Sequence, residues 1–342
     1  MTSHVLRFAQ LSKHVALVSV CALGLGVVAC GSDSDSSSGS GGNAGTGGAA
    51  TGGNGGTAGA TTGGSGGSSG SGAGGEGGVD TSPMGGDRPV TPFVPESYDP
   101  SQPTPLIVML HGFGANGAAE ELVVLKLKPL ATEKNFIYIY PDGTTGADGK
   151  RFWNATDACC DFGNTGVDDV AYIAGLIDEA KQRYNIDDKR VYVIGHSNGG
   201  FMSHRFGCDR ADLVAGIASL AGEMWSDESK CAPSAPVNAL QMHGTSDETV
   251  SYVTVPGVPG AEDSVDTWAT KNGCTGSLTP LGEPVDYEAS VAGSETDKLE
   301  YTECPAGGAV ELWKMNGVGH IPNFTDEYRR ALVDWLLAHP KP

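Results

Sequence analysis

The stretch Val191-Tyr192-Val193-Ile194-Gly195-His196-Ser197-Asn198-Gly199-Gly200 constrains this chain more than any other. An apolar run that breaks into Gly-x-Ser-x-Gly-Gly predicts a buried strand turning at once into a helix, with Ser197 at the tip. So sharp a turn strains the backbone at the serine and leaves room only for small residues two positions away on either side, the places of Gly195 and Gly199. The serine hydroxyl is then exposed above the sheet edge. The Asn198 amide, at the helix N-terminus, points the same way and can donate to a developing oxyanion. Taken alone, the pattern also describes an ordinary β-α turn.

The chain around this stretch is uneven in composition. Arg7 and Lys13 precede an apolar run over 15–29 that is too short to span a bilayer, so residues 1–29 read as a signal peptide. It ends Val27-Val28-Ala29-Cys30, which resembles the bacterial lipoprotein signal box, with Cys30 left as the lipidated N-terminus; plain secretion with cleavage nearby is the other reading. Residues 30–86 form a linker of Gly, Ser, Thr, Ala and Asn with almost no large apolar side chain. Such a segment cannot offset the entropy of ordering, and its expected root-mean-square span is about 40 Å. Residues 87–342 suit one packed domain.

With 21 basic against 41 acidic residues, no basic stripe is present to neutralise phosphates, so nucleic acid is not an expected partner and membrane contact is expected through the lipid anchor only. Of eight cysteines, Cys21 lies in the signal and Cys30 at the lipid site. Cys159, Cys160, Cys208, Cys231, Cys274 and Cys304 are an even set in an exported chain without a Cys-x-x-Cys or a histidine-rich cluster, which predicts disulfides and no metal.

Periodicity orders the domain. Residues 105–111 are an almost continuous apolar run between Pro and Gly, as in a strand covered on both faces. A helix over about 118–133 follows, then a strand at 136–140. A one-faced helix at 168–184 opens with Asp168-Asp169, which read as an N-cap with a favourable dipole contact in preference to a metal pair. Strands at 191–195, 214–220 and 237–243, a helix at 262–271, strands at 299–303 and 310–315 and a helix at 326–337 complete the pattern. Strands alternating with helices throughout imply an α/β fold, a mainly parallel sheet with helices on both faces and no large lid. In such sheets ligands sit beyond the carboxyl ends of the strands.

Those ends carry His111-Gly112-Phe113, Ser197, Asp247 and His320, all expected on one rim. The order Ser, Asp, His is that of the α/β-hydrolase fold. Ser197 is a weak nucleophile until a base takes its proton, and His320, in a Gly-Val-Gly-His loop after the last strand, is the candidate base. Asp247 is expected to hold the imidazole in its tautomer, with Asp263 and Glu248 as competitors. Backbone amides of Phe113 and Asn198 form the candidate oxyanion hole. No cofactor is expected.

Arg190 to Met202, the paired cysteines ahead of Asp168-Asp169, and His243-Gly244-Thr245-Ser246-Asp247 together resemble the poly(3-hydroxybutyrate) depolymerase family. The feruloyl and acetylxylan esterases of carbohydrate esterase family one are similar in the same residues. The resemblance implies a secreted serine esterase on the α/β-hydrolase fold. Ile321 stands where such relatives often have Trp after the histidine.

The sheet topology places Cys208 with Cys231, and Cys274 with Cys304, at the lower end of the sheet, leaving Cys159 and Cys160 near the rim as a strained adjacent bridge, two thiols or another pairing. Trp153, Trp225 and Tyr252 fall in or near rim loops and could stack on substrate, with packing as the alternative. The expected substrate is a hydroxyalkanoate polyester, with feruloyl or acetyl esters on plant polysaccharide as the rival. A non-catalytic surface lipoprotein is the reading from a different class.

Overall fold

The computed structural model describes residues 79–342; the signal peptide, Cys30 and most of the linker lie outside the described residues. Its strands are β1 (Thr104–Leu110), β2 (Ile137–Ile139), β3 (Thr144–Thr145), β4 (Arg151–Phe152), β5 (Ile186–His196), β6 (Gly216–Leu220), β7 (Asn238–Gly244), β8 (Leu278–Pro280), β9 (Thr296–Tyr301) and β10 (Val310–Met315). Eight of them form one sheet in the order β2-β1-β5-β6-β7-β10-β9-β8, while β3 and β4 pair as a separate hairpin. From β2 through β10 all neighbours are parallel; β9 and β8 add an antiparallel edge. The expected mainly parallel sheet is therefore present.

The apolar run of β1 explains itself in this setting. Leu106, Val108 and Leu110 enter one core, Ile107 and Met109 the other. The first core is closed by α3 (Asp169–Arg183), α4 (Asn198–Asp209) and α5 (Ala261–Asn272), with Ile173, Ile177, Phe206 and Trp268 buried. The second is closed by α2 (Lys128–Lys134) and α6 (Asp326–Ala338), through Leu130, Tyr328, Leu332 and Leu336. A strand buried on both faces has no solvent side to mark by alternation, hence the unbroken hydrophobic sequence.

The single helix expected over 118–133 is broken. A short α1 (Gly117–Glu120) continues as a π-helical turn, Glu121–Leu125, and ends at Lys126 with φ 52° before α2 begins. Pro129 in the first turn of α2 has no amide hydrogen for a continuing ladder, so the chain must restart there. Glu121 supports the restart by accepting the amides of Leu127 (2.9 Å) and Lys128 (3.0 Å). The break leaves Leu122 and Val123 facing out, 75% and 60% exposed.

Ordered contacts begin before the linker boundary placed at residue 86. Met84 is buried and bridges to Val90, and the Gly85 amide donates to Glu179 of α3 at 2.9 Å. Arg183 adds hydrogen bonds to the carbonyls of Ser82 (2.7 Å) and Pro83 (3.2 Å), so a segment whose composition alone reads as coil is docked by a buried methionine and a set of polar contacts from α3. The Asp168-Asp169 pair divides its work: Asp168 caps α3 through the Ala171 amide, and buried Asp169 pairs with Arg88 at 2.6 Å. Cys208 bonds to Cys231, Cys274 to Cys304 and Cys159 to Cys160. Three disulfides are the usage of an exported protein.

Candidate active site

Ser197 sits between β5 and α4 with φ 54° and ψ −121°, a left-handed conformation that its surroundings enforce. A Cβ on Gly195 would run into the backbone of Gly199, and one on Gly199 into the backbone of Leu110 and His111. Strand, turn and helix can approach this closely only with glycine at both places. The Ser197 amide is itself anchored on Leu220 O at 2.7 Å.

The three strand-end side chains meet. The Ser197 hydroxyl donates to His320 Nε2 at 2.9 Å, and His320 Nδ1 donates to Asp247 Oδ2 at 2.7 Å. Asp247 Oδ1 accepts the amides of Thr249 (2.8 Å) and Val250 (2.9 Å), which fixes the carboxylate plane. Burial pushes this carboxyl up, but hydrogen bonds from His243 and His320 outweigh it and hold Asp247 well below the usual carboxylate range. The loops carrying Asp247 and His320 are tied together, since Ser246 N donates to Val318 O at 3.0 Å and Gly317 N to Thr245 Oγ1 at 2.9 Å. Of the competitors, Asp263 accepts the Gly260 amide at the start of α5 and has no contact with the histidine, while Glu248 is exposed.

Neither the Phe113 nor the Asn198 amide has a backbone acceptor among the described residues. Their placement is heavily braced. His111 Nε2 accepts the Gly143 amide at 2.9 Å, which leaves Nδ1 to donate to Gly112 O at 2.8 Å; burial also pushes this imidazole toward its neutral form. Glu120 Oε2 accepts the Gly112 amide at 3.2 Å, and Glu120 Oε1 faces His196 Nδ1 at 3.0 Å. His196 Nε2 in turn donates to the carbonyl of His320 at 2.8 Å. Thus one buried carboxylate, with His196, joins the loop of Gly112 and Phe113, the end of β5 and the loop of His320. The sequence hid it inside an apparently ordinary helix.

None of the three aromatic side chains expected from sequence as substrate contacts lines the cavity beside Ser197 and His320. Trp153 is fully buried: its backbone pairs with the Asn198 side chain (2.7 and 2.9 Å) and its indole donates to His111 O at 3.0 Å. It sets the Asn198 amide and the β1 end in place and reaches no cleft. Tyr252 is 8% exposed, with its hydroxyl donating to Glu262 at 2.8 Å. Trp225 lines a different depression with Ser226, Thr254 and Val255, its ring flanked by the cations of Arg205 and Lys230. Trp153 and Tyr252 are thus packed inside the protein, whereas Trp225 is half-buried and its indole N–H has no hydrogen-bond partner among the described residues.

The walls beside Ser197 and His320 are instead Phe113, Val123, Val124 and Ile321, around a cavity of about 270 Å³. Phe113 stacks edge-on against exposed Phe162 at 5.4 Å, and these two rings also line a second apolar depression of about 310 Å³ that reaches Cys160. The signal for the rim was present in the sequence as Leu122-Val123-Val124-Leu125, apolar on more faces than a surface helix can bury.

A mainly parallel sheet with a strained serine elbow and a Ser-His-Asp relay at its carboxyl edge defines the α/β-hydrolase class. Within that class, residues 92–256 match the model of a phospholipase/carboxylesterase family, Abhydrolase_2. It is 31% identical over 238 residues to feruloyl esterase B of Piromyces equi, covering 66% of this chain and 41% of that protein. It is 32% identical over 130 residues to poly(3-hydroxyalkanoate) depolymerase C of Paucimonas lemoignei, covering 38% of this chain and 30% of that one. The chain therefore spans less than half the length of either relative. Among solved structures, the acetyl xylan esterase from Aspergillus awamori superposes with TM-score 0.52 at 17% identity over 75% of this chain and 97% of that one, a likeness of fold.

Proposed function

We propose that this chain is a serine carboxylic-ester hydrolase with Ser197 as nucleophile, His320 as general base and acid, and Asp247 as the group that orients and offsets the imidazole. Ser197 attacks the ester carbonyl as its proton passes to His320, and the amides of Phe113 and Asn198 stabilise the oxyanion. The alcohol leaves with that proton, and water, activated by the same imidazole, releases the acid. The observation that carries the reading is the unbroken relay of 2.9 and 2.7 Å ending on a buried carboxylate held ionised.

For the acyl group, the apolar cavity walled by Phe113, Val123, Val124 and Ile321 supports an aromatic acyl ester on polysaccharide, in keeping with the relative matched over two thirds of this chain. The exposed apolar rim of Leu122, Val123, Phe162 and Ile321 favours a second reading, a polyester chain lying across the cleft. Release of ferulate from methyl ferulate, acetate from acetylated xylan and 3-hydroxybutyrate oligomers from polyester separates the two. Ferulate released at least about tenfold faster per enzyme, and about tenfold slower again in Ile321→Asp, is the expected result. Oligomer release alone selects the polyester, and no release from any of the three removes both.

Cys30 is proposed as the lipid attachment site of an exported, membrane-anchored enzyme. Among the described residues no helix is long and apolar enough to cross a membrane. Labelled palmitate is expected to enter the wild-type protein expressed in a lipoprotein-processing host and to be absent from Cys30→Ala. Equal labelling of the two contradicts the anchor.

A further inference from the structure

Asp247 touches a second histidine that the relay does not use. His243 and Glu223 have fully buried side chains, with His243 Nδ1 2.7 Å from Glu223 Oε1. His243 Nε2 lies 3.0 Å from Val250 O and 3.4 Å from Asp247 Oδ2, the oxygen that also receives His320. Both ring nitrogens therefore face oxygens: burial pushes the Glu223 carboxyl up against the pull of His243 and Ser264, and with both carboxylates ionised those oxygens can only accept. A neutral imidazole donates from one nitrogen alone, so a neutral ring would set a lone pair against an acceptor on one side. The other polar group at the ring is the Gln241 amide, which gives one of its two protons to Gly222 O at 2.9 Å and turns the other toward Nδ1 at 3.4 Å, a longer reach than the 2.7 Å to the Glu223 oxygen.

The neighbouring elements add no charge that changes this balance. Glu223 Oε2 accepts from Ser264 of α5 at 2.6 Å. Tyr252 meets the ring edge-on at 5.7 Å and passes its hydroxyl to Glu262, which pairs with Lys314 of β10 at 3.2 Å. His204 of α4, bonded to Gln241 Oε1 at 2.9 Å, is pushed down to about 4 by burial and is neutral. His243 itself is pushed down by burial, yet Asp247 and Glu223 prevail and raise it to about 9.

We propose that Glu223 and His243 are positioning residues of the active site, with His243 an imidazolium that holds the Asp247 carboxylate ionised and turned toward His320, and Glu223 the countercharge that keeps the second proton on the ring. The proposal rests on the hydrolase reading above. It implies that the cation offsets part of the pull that Asp247 exerts on the proton of His320. Deleting the cation then makes the relay hold that proton more tightly.

The first test needs no turnover. In full-length protein labelled with ¹⁵N-histidine, with His243 assigned by comparison with His243→Gln, both nitrogens of His243 are expected to be protonated at pH 7.5, and one proton is expected to be lost in Glu223→Gln. A neutral ring at position 243 in the wild type, or a doubly protonated ring that persists in Glu223→Gln, overturns the proposal. The second test is kinetic. In His243→Gln the acid limb of the kcat/KM profile is expected to move up by about one pH unit, with KM little changed. An acid limb that stays in place while activity falls in step with thermal stability assigns the pair to structure and overturns the proposal. If His243→Gln does not fold, the Glu223→Gln comparison assigns the resonance and decides. An imidazolium at 243 in a protein that no serine reagent labels would instead remove the hydrolase reading, so the two failures are distinct.

Discussion

Ser197→Ala is expected to fold as the wild type does and to lose ester turnover by about 10⁶-fold in kcat. Alanine keeps the Cβ, so the left-handed backbone at φ 54° is no more strained with it than with serine. The close approaches of Gly195 to Gly199, and of Gly199 to the end of β1, are untouched. What disappears is the oxygen that bonds to the carbonyl and the hydrogen bond it gives His320 at 2.9 Å. No neighbouring hydroxyl takes its place, since the walls of the cavity beside it are Gly112, Phe113, Ala115, Val123, Val124 and Ile321. Steady-state kinetics with an aryl ester, beside circular dichroism and a thermal melt, is the measurement. More than about one per cent of wild-type kcat in a correctly folded variant would place the nucleophile elsewhere.

Asp247→Asn is expected to cost about 10⁴-fold in kcat with KM nearly unchanged. The side-chain oxygen can still accept the Thr249 and Val250 amides, so the loop keeps its shape. The new NH₂ then faces His320 Nδ1, where the carboxylate oxygen accepted at 2.7 Å. The imidazole must turn that nitrogen into an acceptor and carry its proton on Nε2, the side that has to receive the serine proton. The buried anion that offsets the imidazolium formed during acyl transfer is lost as well. A loss of less than tenfold would mean that the carboxylate orients nothing that matters to the rate-limiting step.

Much of this site could be read from the sequence because its parts are local. The elbow is set by glycines two residues either side of a serine. The rim is set by where apolar runs stop, at His111, Ser197, His243 and beyond Met315. Unread were features decided by contacts between distant segments. Trp153 looks like a rim aromatic because it follows a short hairpin strand, yet its indole lies in the core against the end of β1. Glu120 looks like one more acid on a surface helix, yet it is 3% exposed and tied to His196 and Gly112. The cleft wall at Val123 depends on a helix that restarts at Lys128-Pro129, and periodicity counted across that break finds one helix where the chain makes two α-helical segments joined by a π-helical turn.

The most direct measurement of the central claim is labelling of the intact protein with a fluorophosphonate, followed by mass mapping of the adduct. One adduct per chain on the peptide that contains Ser197, lost in Ser197→Ala and at least about 10³-fold slower to form in His320→Ala, is the predicted result. A folded protein that takes no label, or one labelled as fast without the imidazole as with it, would contradict the account.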